Sequence, residues 1–393
     1  MQVKGYPYVL VPGMGGWGET SSLSRVLPYW GFSHFDIVKI LNARGFETYA
    51  ASIPPMGSAW DRTCELYAQL TGTRVDYGAA HSARFGHARY GRTYEKPLFP
   101  GWGEKDENGR VKKVNFISHS FGGVTARMLA TLLADGCAEE REATMDGSLS
   151  PLFEGGHGGR IFSIATISAP HDGTDMQFAL PAWLRFFLQT VYYEASHITS
   201  CVPALRGVFD AQLGQFGVGG KGSFFSMKEF RRFKNSGDNV FYDVCVDGSK
   251  RINRSLRALE DVYYFSFAVC GTHTARTGEQ EPKLGVMLPG LFPMAHYMGR
   301  YTEVTPDGFV VDASWKPNDG VVNTRSAMAP ADEPSVPFDP KQIEKGVWNV
   351  MPVIEGDHAS VIGWFRDKKT TMPLYCKHVR RIEALCARET INA

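Results

Sequence analysis

The sequence predicts an α/β protein with a mostly parallel central sheet covered by helices. Three observations carry this. Short apolar runs at 6–12, 47–53, 113–118, 160–168 and 262–269 alternate with helix-like segments, the pattern of parallel strands joined by crossover helices. The composition, 43% hydrophobic and 21% charged without repeat or low-complexity tract, is that of a folded chain. The alternation is broken by two long insertions, 55–112 and 172–260, inside what is expected to be one domain spanning 1–393. Loops this long without a role are uncommon, so each is expected to carry a lid, a subdomain or a metal.

The first element, "YVLVPGMGG", is an apolar strand that breaks at a proline-glycine turn. The N-terminal stretch holds one lysine and no small-residue cleavage site, so it reads as a strand and not as a signal peptide. The 42 basic and 41 acidic residues leave a formal charge of +1 with no long charged block, which argues against a nucleic-acid partner. Seven cysteines are scattered singly, excluding a CxxC zinc module and arguing against a disulfide framework.

The third strand is the most informative. In "VNFISHSFGGVTARML" (114–129), a β-rich run feeds through Ser120 and Gly122-Gly123 into a segment with apolar residues at helical spacing. A strand, a small-x-Ser-x-Gly turn and a helix make a nucleophile elbow, whose strained turn lifts the serine oxygen above the sheet. Ser118 stands where glycine is commonest, and a small side chain suffices there. The plainer alternative is an ordinary turn with a capping serine.

A serine hydroxyl needs a histidine base, itself held by a carboxylate. In α/β-hydrolases these partners follow the serine in the order acid, then histidine. Of eleven histidines, His273, His296, His358 and His378 lie late in the chain. His358 in "VIEGDHASVIGW" has the glycine-flanked setting of a strand-end loop, whereas His378 in "KHVRRIEALCA" reads as a solvated surface residue on a basic terminal helix. Asp319 in "WKPNDGVVNTRSAM" precedes an apolar segment read as a strand; Asn318-Asp319-Gly320 is equally a plain turn. The glycine-rich loop after the first strand would bring the Met14 N–H near the serine, to form an oxyanion hole with the N–H of Phe121. A phosphate-binding loop is disfavoured, because no Lys-Ser/Thr ending follows.

Beyond these motifs the chain resembles the bacterial true lipases of the staphylococcal and thermoalkalophilic bacillus type. The likeness is strongest in "SAWDRTCELYAQLTGTRVDYGAAHSARFGHARYGRTY" (58–94) and recurs at "HSFGGVTARML", "SLSPLFEGGH", "SAPHDGT", "NDGVVNT", "KGVWN" and "DHASVIG". The resemblance implies an α/β-hydrolase fold with a zinc-held insertion and a helical lid, and a triad of Ser120, Asp319 and His358. It also implies a structural zinc held by Asp61, His81, His87 and Asp243, a reasonable closed tetrahedral set of two carboxylates and two imidazoles. Read alone, Asp61 could simply be a carboxylate near the start of a helix capped by Ser58. There are departures: Pro12-Gly13 replaces a His-Gly pair, and Ser360 and Phe365 stand where the family places calcium carboxylates. Calcium wants six to eight oxygens, and with only Asp367 nearby as a partial substitute, calcium is not expected.

The segment "MQFALPAWLRFFLQTVYYEA" (176–195) holds too many bulky apolar groups for one helical stripe. Pro181 and Arg185 interrupt it, so it falls short of the ~20 apolar residues of a membrane span. It is read as a lid whose Trp183, Phe186 and Phe187 control substrate access and shield Ser120 in water, the alternative being a core helix.

The expectation is therefore a lipase acting through an acyl-serine intermediate on lipid esters at an oil-water interface. The alternatives are a soluble short-chain carboxylesterase and a non-catalytic lipid-binding protein of the same fold. The resemblance implies an extracellular address, with a cytoplasmic one as the alternative, and the chain is expected to be a monomer or weak oligomer.

Overall fold

The computed structural model describes residues 5–32, 34–202, 205, 208–218 and 227–392. Seven strands form one sheet: β1 (Tyr8–Val11), β2 (Thr48–Ala50), β3 (Val114–His119), β4 (Ile161–Ile167), β5 (Tyr263–Phe267), β6 (Ser335–Pro337) and β7 (Trp348–Val350). Their order is β6-β7-β5-β4-β3-β1-β2, and every neighbouring pair is parallel. The five apolar runs of the sequence are β1 to β5. The last two strands, three residues each, are too short to leave a periodic signal.

Because side chains alternate across a strand, the sheet supports two cores. Val9, Val11, Phe116 and Ile164 pack with the helices α2 (Ala59–Thr71) and α4 (Gly122–Asp135). Tyr8, Leu10, Ile117 and Phe265 face the other way, toward α1 (Ile37–Ala43) and the C-terminal helix α7 (Lys368–Asn392). Burial on both faces is why these strands read as continuous apolar runs.

The C-terminal helix corrects one expectation. His378 is not a solvated residue: it is 3% exposed, with its ring 5.2 Å from that of Phe265 and 5.4 Å from that of Phe267. The basic neighbours that made the segment look exposed lie on other faces of a helix that covers the sheet.

The first insertion contributes α2 and α3 (Ala79–Phe85) with a two-stranded antiparallel ladder, Arg74–Asp76 against Tyr90–Thr93. The second contributes α5 (Ala182–Cys201) and α6 (Met227–Asn235). Pro181 ends the preceding turn of helix and stands at the N-cap of α5. Among the described residues no helix is long and apolar enough to cross a membrane. The six cysteines whose side chains are described carry free thiols.

Candidate active site and metal centre

Ser120 sits between β3 and α4 with a φ of +55°, a left-handed conformation that a non-glycine residue holds only when its surroundings enforce it. The enforcement is close packing. A Cβ at Gly122 would lie 2.4 Å from the Val11 carbonyl oxygen, and one at Gly13 would lie 2.6 Å from the Ser120 Cβ. Glycine at both positions lets the loop after β1 run directly over the elbow.

Around this turn the three residues singled out for catalysis converge. Ser120 Oγ is 3.0 Å from His358 Nε2, and His358 Nδ1 is 2.9 Å from Asp319 Oδ2. The second oxygen of Asp319 accepts the N–H groups of Val321 at 2.9 Å and Val322 at 2.7 Å. The His358 N–H in turn donates to the Asp319 carbonyl at 3.0 Å. Asp319 is held in an Asn-Asp-Gly turn, so the turn reading and the acid reading describe the same residue. The segment after it is not a strand; it leads into a short helix, Thr324–Met328.

Sequence reasoning passed over His119 and Tyr29. The His119 Nδ1 is 2.6 Å from the Tyr29 hydroxyl and its Nε2 is 2.9 Å from the His358 carbonyl oxygen. The Tyr29 oxygen accepts the Gly13 N–H at 3.1 Å. Burial, and secondarily the neighbouring His358, holds the His119 pKa well below the ordinary histidine range, so its ring is neutral. The consistent assignment has Nε2–H donating to the carbonyl and Nδ1 accepting from Tyr29. The loop after β1 is thereby tied to the loop that carries His358.

Beside Met14 lies an apolar cavity of about 200 Å³ lined by Leu180, Leu188, Tyr192, Phe241 and Met294 among others. Helix α5 roofs this region, with the Tyr192 hydroxyl donating to the Pro55 carbonyl at 3.2 Å. Here the structure departs from expectation. Trp183, Phe186 and Phe187 are 68%, 68% and 58% exposed, so they do not shield Ser120. The body-facing side of α5 is taken by Leu188, Tyr192 and Tyr193, and a helix apolar nearly all round must leave its remaining aromatic groups outside.

At the metal candidate the structure brings together Asp61, His81, His87 and Asp238, with ligand atoms within 4.8 Å of one another. Asp243 is not among them, contrary to the sequence reading. Its Oδ2 accepts the Ala59 N–H at 2.7 Å, spending that oxygen on the N-terminus of α2. Asp238, five residues earlier, instead has Oδ2 3.2 Å from Nε2 of both His81 and His87. His81 Nε2 is also 3.4 Å from Asp61 Oδ1. Tetrahedral zinc with bonds of about 2.0 Å would separate its ligand atoms by roughly 3.3 Å, so the residues fit such an ion. Asp61 Oδ1 and Asp238 Oδ1 are buried without a hydrogen-bond partner, which is costly unless a cation compensates. Burial, and next the Asp238 charge, raises the Asp61 pKa. The surroundings orient the set: Gln215 donates to Asp61 Oδ2 at 2.8 Å, and His87 Nδ1 lies 2.9 Å from the Ala88 carbonyl oxygen.

At the positions compared with calcium ligands, Ser360 Oγ accepts the Asp357 N–H at 3.0 Å and Phe365 is exposed. Asp367 accepts the Thr370 N–H at 2.9 Å, capping α7.

A protein family described as lipase-like, C-terminal domain, matches residues 4–378. This chain belongs to that family. It is 33% identical over 370 residues to Lipase 2 of Staphylococcus aureus, a match covering 91% of the chain and 50% of the relative. The chain therefore spans about half the length of such curated relatives. Among solved structures it is similar to the lipase of Staphylococcus hyicus, with TM-score 0.82, 30% identity, and coverage of 97% of this chain and 96% of the other. It is also similar to EstA of Clostridium botulinum, with TM-score 0.82, 33% identity, and coverage of 98% and 88%. The staphylococcal resemblance noted from the motifs thus extends over the fold.

Proposed function

We propose that the chain is a lipase that hydrolyses carboxylic esters of lipids through an acyl-serine intermediate. The observation that carries this is the run of contacts from Ser120 Oγ through His358 to Asp319, at 3.0 and 2.9 Å, on a strained elbow. In this reading Ser120 Oγ attacks the ester carbonyl carbon as His358 Nε2 takes its proton. The carbonyl π pair moves onto oxygen, where the N–H groups of Met14 and Phe121 meet the negative charge. Collapse of this intermediate breaks the bond to the alkoxy oxygen, which leaves with the proton from His358. Water then repeats the sequence and releases the acid. Asp319 holds the imidazole in the tautomer this requires.

The apolar cavity beside Met14 suits an acyl chain, and the exposed aromatic stripe of α5 suits an oil surface. Together they favour a lipase over a short-chain esterase. In this reading α5 is a lid whose outer face docks on lipid, with Trp183, Phe186 and Phe187 as its anchors.

The metal reading is a structural zinc held by Asp61, His81, His87 and Asp238. When bound, it would tie the first insertion to the second by neutralising two buried carboxylates.

The deciding experiment measures hydrolysis across esters with acyl chains of about two to eighteen carbons, with and without an emulsion, for wild type and Ser120→Ala. The lipase reading expects turnover to persist on long chains, to rise at the interface, and to fall by several orders of magnitude in the variant. Activity confined to dissolved short-chain esters would favour the esterase, and undiminished activity in Ser120→Ala would remove the triad assignment.

A further inference from the structure

Arg62 lies on α2, next to Asp61, and is 0% exposed. Its Nε donates to Thr125 Oγ1 at 3.1 Å, its Nη1 to the Pro54 carbonyl at 2.6 Å and its Nη2 to the Pro12 carbonyl at 2.5 Å. The guanidinium carbon is 5.5 Å from the centroid of the Phe121 ring. Among the described residues no carboxylate lies within ion-pair distance of it. A buried guanidinium with only neutral acceptors carries a desolvation penalty that an apolar residue of similar volume would avoid. Its three acceptors are all neutral, and all belong to segments that pack at the elbow.

The Pro12 carbonyl and the Gly13 N–H belong to one planar peptide unit. Arg62 holds its oxygen and the Tyr29 hydroxyl holds its hydrogen. Clamped at both ends, this plane has little freedom to rotate, and it sets the direction of the next one, whose N–H is that of Met14. The Pro54 carbonyl belongs to the segment against which the same loop packs, since the Gly15 N–H donates to the Pro55 carbonyl at 3.0 Å. Thr125 stands on the first turn of α4, the helix that begins behind Ser120. Arg62 therefore touches the loop bearing one oxyanion donor, the helix that follows the nucleophile, and the side chain of the residue bearing the other donor.

We propose that Arg62 is the positioning residue of the oxyanion hole: it fixes the direction of the Met14 N–H and places an unneutralised buried cation behind the site where negative charge develops. This rests on the ester-hydrolase reading of Ser120. A fixed cation in a water-poor setting stabilises a forming anion more than the neutral ester before it. Its effect falls on the transition state and not on substrate binding.

The test uses a soluble p-nitrophenyl butyrate, so that lid and interface do not enter, and butaneboronic acid, which forms a tetrahedral anion on the serine. Arg62→Met should lower kcat by about 100-fold, with KM held within about threefold and boronic acid affinity falling in parallel with kcat. Arg62→Lys keeps the charge but cannot hold both carbonyls, and should fall between the two. Added guanidinium should restore about tenfold of the loss in Arg62→Gly and none in Ser120→Ala. A folded Arg62→Met with kcat near wild type, or with a lowered kcat and unchanged boronic acid affinity, overturns the proposal. Should Arg62→Met fail to fold, Arg62→Lys decides on the same criteria. A wild type that hydrolyses no ester would sink the reading of the site itself, whereas an active wild type with an indifferent Arg62 sinks only this role.

Discussion

Asp319 Oδ2 stands 2.9 Å from Nδ1 of His358, while Oδ1 of the same carboxylate accepts two backbone N–H groups. The carboxylate is thus oriented by the chain before it orients the imidazole. Asp319→Asn can keep the backbone bonds through its amide oxygen, but it turns an NH2 toward the ring. Nδ1 must then accept and Nε2 carry the proton, leaving Ser120 without a base. Turnover of a soluble ester is expected to fall by about 10³- to 10⁴-fold, with little change in melting temperature. A variant retaining a tenth of the wild-type kcat would contradict this role.

Asp238 and Asp243, both in the second insertion, should separate cleanly. Asp238→Asn is expected to reduce zinc from about one ion per chain and to lower the melting temperature, because closed structural zinc stabilises what it ties together. Asp243→Ala should keep its zinc and lose only the acceptor at the N-terminus of α2, at about 0.5–2 kcal/mol. Elemental analysis of both variants checks this, and zinc lost from Asp243→Ala but kept by Asp238→Asn would reverse the assignment.

Tyr29→Phe removes the hydroxyl that joins Gly13 to His119. The buried Gly13 N–H then loses its acceptor and His119 Nδ1 loses its donor, while the His358 carbonyl still fixes the tautomer of the ring. An unsatisfied buried group costs about 1–3 kcal/mol, so kcat should fall by about 5- to 150-fold. KM should hold, because the lost contacts are remote from the acyl cavity. Equal effects on kcat and KM would point to a general loosening instead.

Exposed Phe186 and Phe187 should matter only where there is oil. Burying apolar surface is worth about 25 cal/mol per Å², so Phe186→Asp/Phe187→Asp is expected to weaken adsorption to emulsified triglyceride strongly and to leave hydrolysis of a dissolved butyrate ester within about twofold. A variant that adsorbs as wild type would return α5 to a purely structural role.

Burial, with Arg381 nearby, pushes the pKa of His378 down to about 3. Unfolded, the ring titrates near 6.5. Below that pH the unfolded chain takes up a proton that the folded one refuses. The stability is therefore full above about pH 6.5 and lost as pH falls toward 3, at up to about 1.4 kcal/mol per pH unit from this group. Neither ring nitrogen has a hydrogen-bond partner, so His378→Leu should be tolerated and should raise the melting temperature relative to wild type more at pH 5 than at pH 8. An equal difference at both values would show that the ring titrates alike in the folded and unfolded chain, contrary to a lowered pKa.

The parts of this protein that could be read along the chain are those governed by near neighbours. Parallel strands buried on both faces must be apolar throughout, and a serine at a strained elbow needs small residues within two or three positions, so β1 to β5 and Ser120 stood out. Asp319 and His358 were legible as loop residues in the required order, and their convergence on Ser120 is what packing supplied. Asp238 and Asp243 lie five residues apart in the second insertion. One was drawn to two imidazoles and the other to a helix terminus by how that segment lies on α2, which no local pattern encodes. The same holds for His378, whose charged neighbours gave no sign that α7 covers the sheet, and for Trp183, Phe186 and Phe187, whose helix could have turned either face inward. Arg62 is the extreme case. Its sequence context is an ordinary polar helix start, and its meaning comes from carbonyls 50 and 8 residues away and a hydroxyl 63 residues away, brought together because the segments after three adjacent parallel strands must share one edge of the sheet.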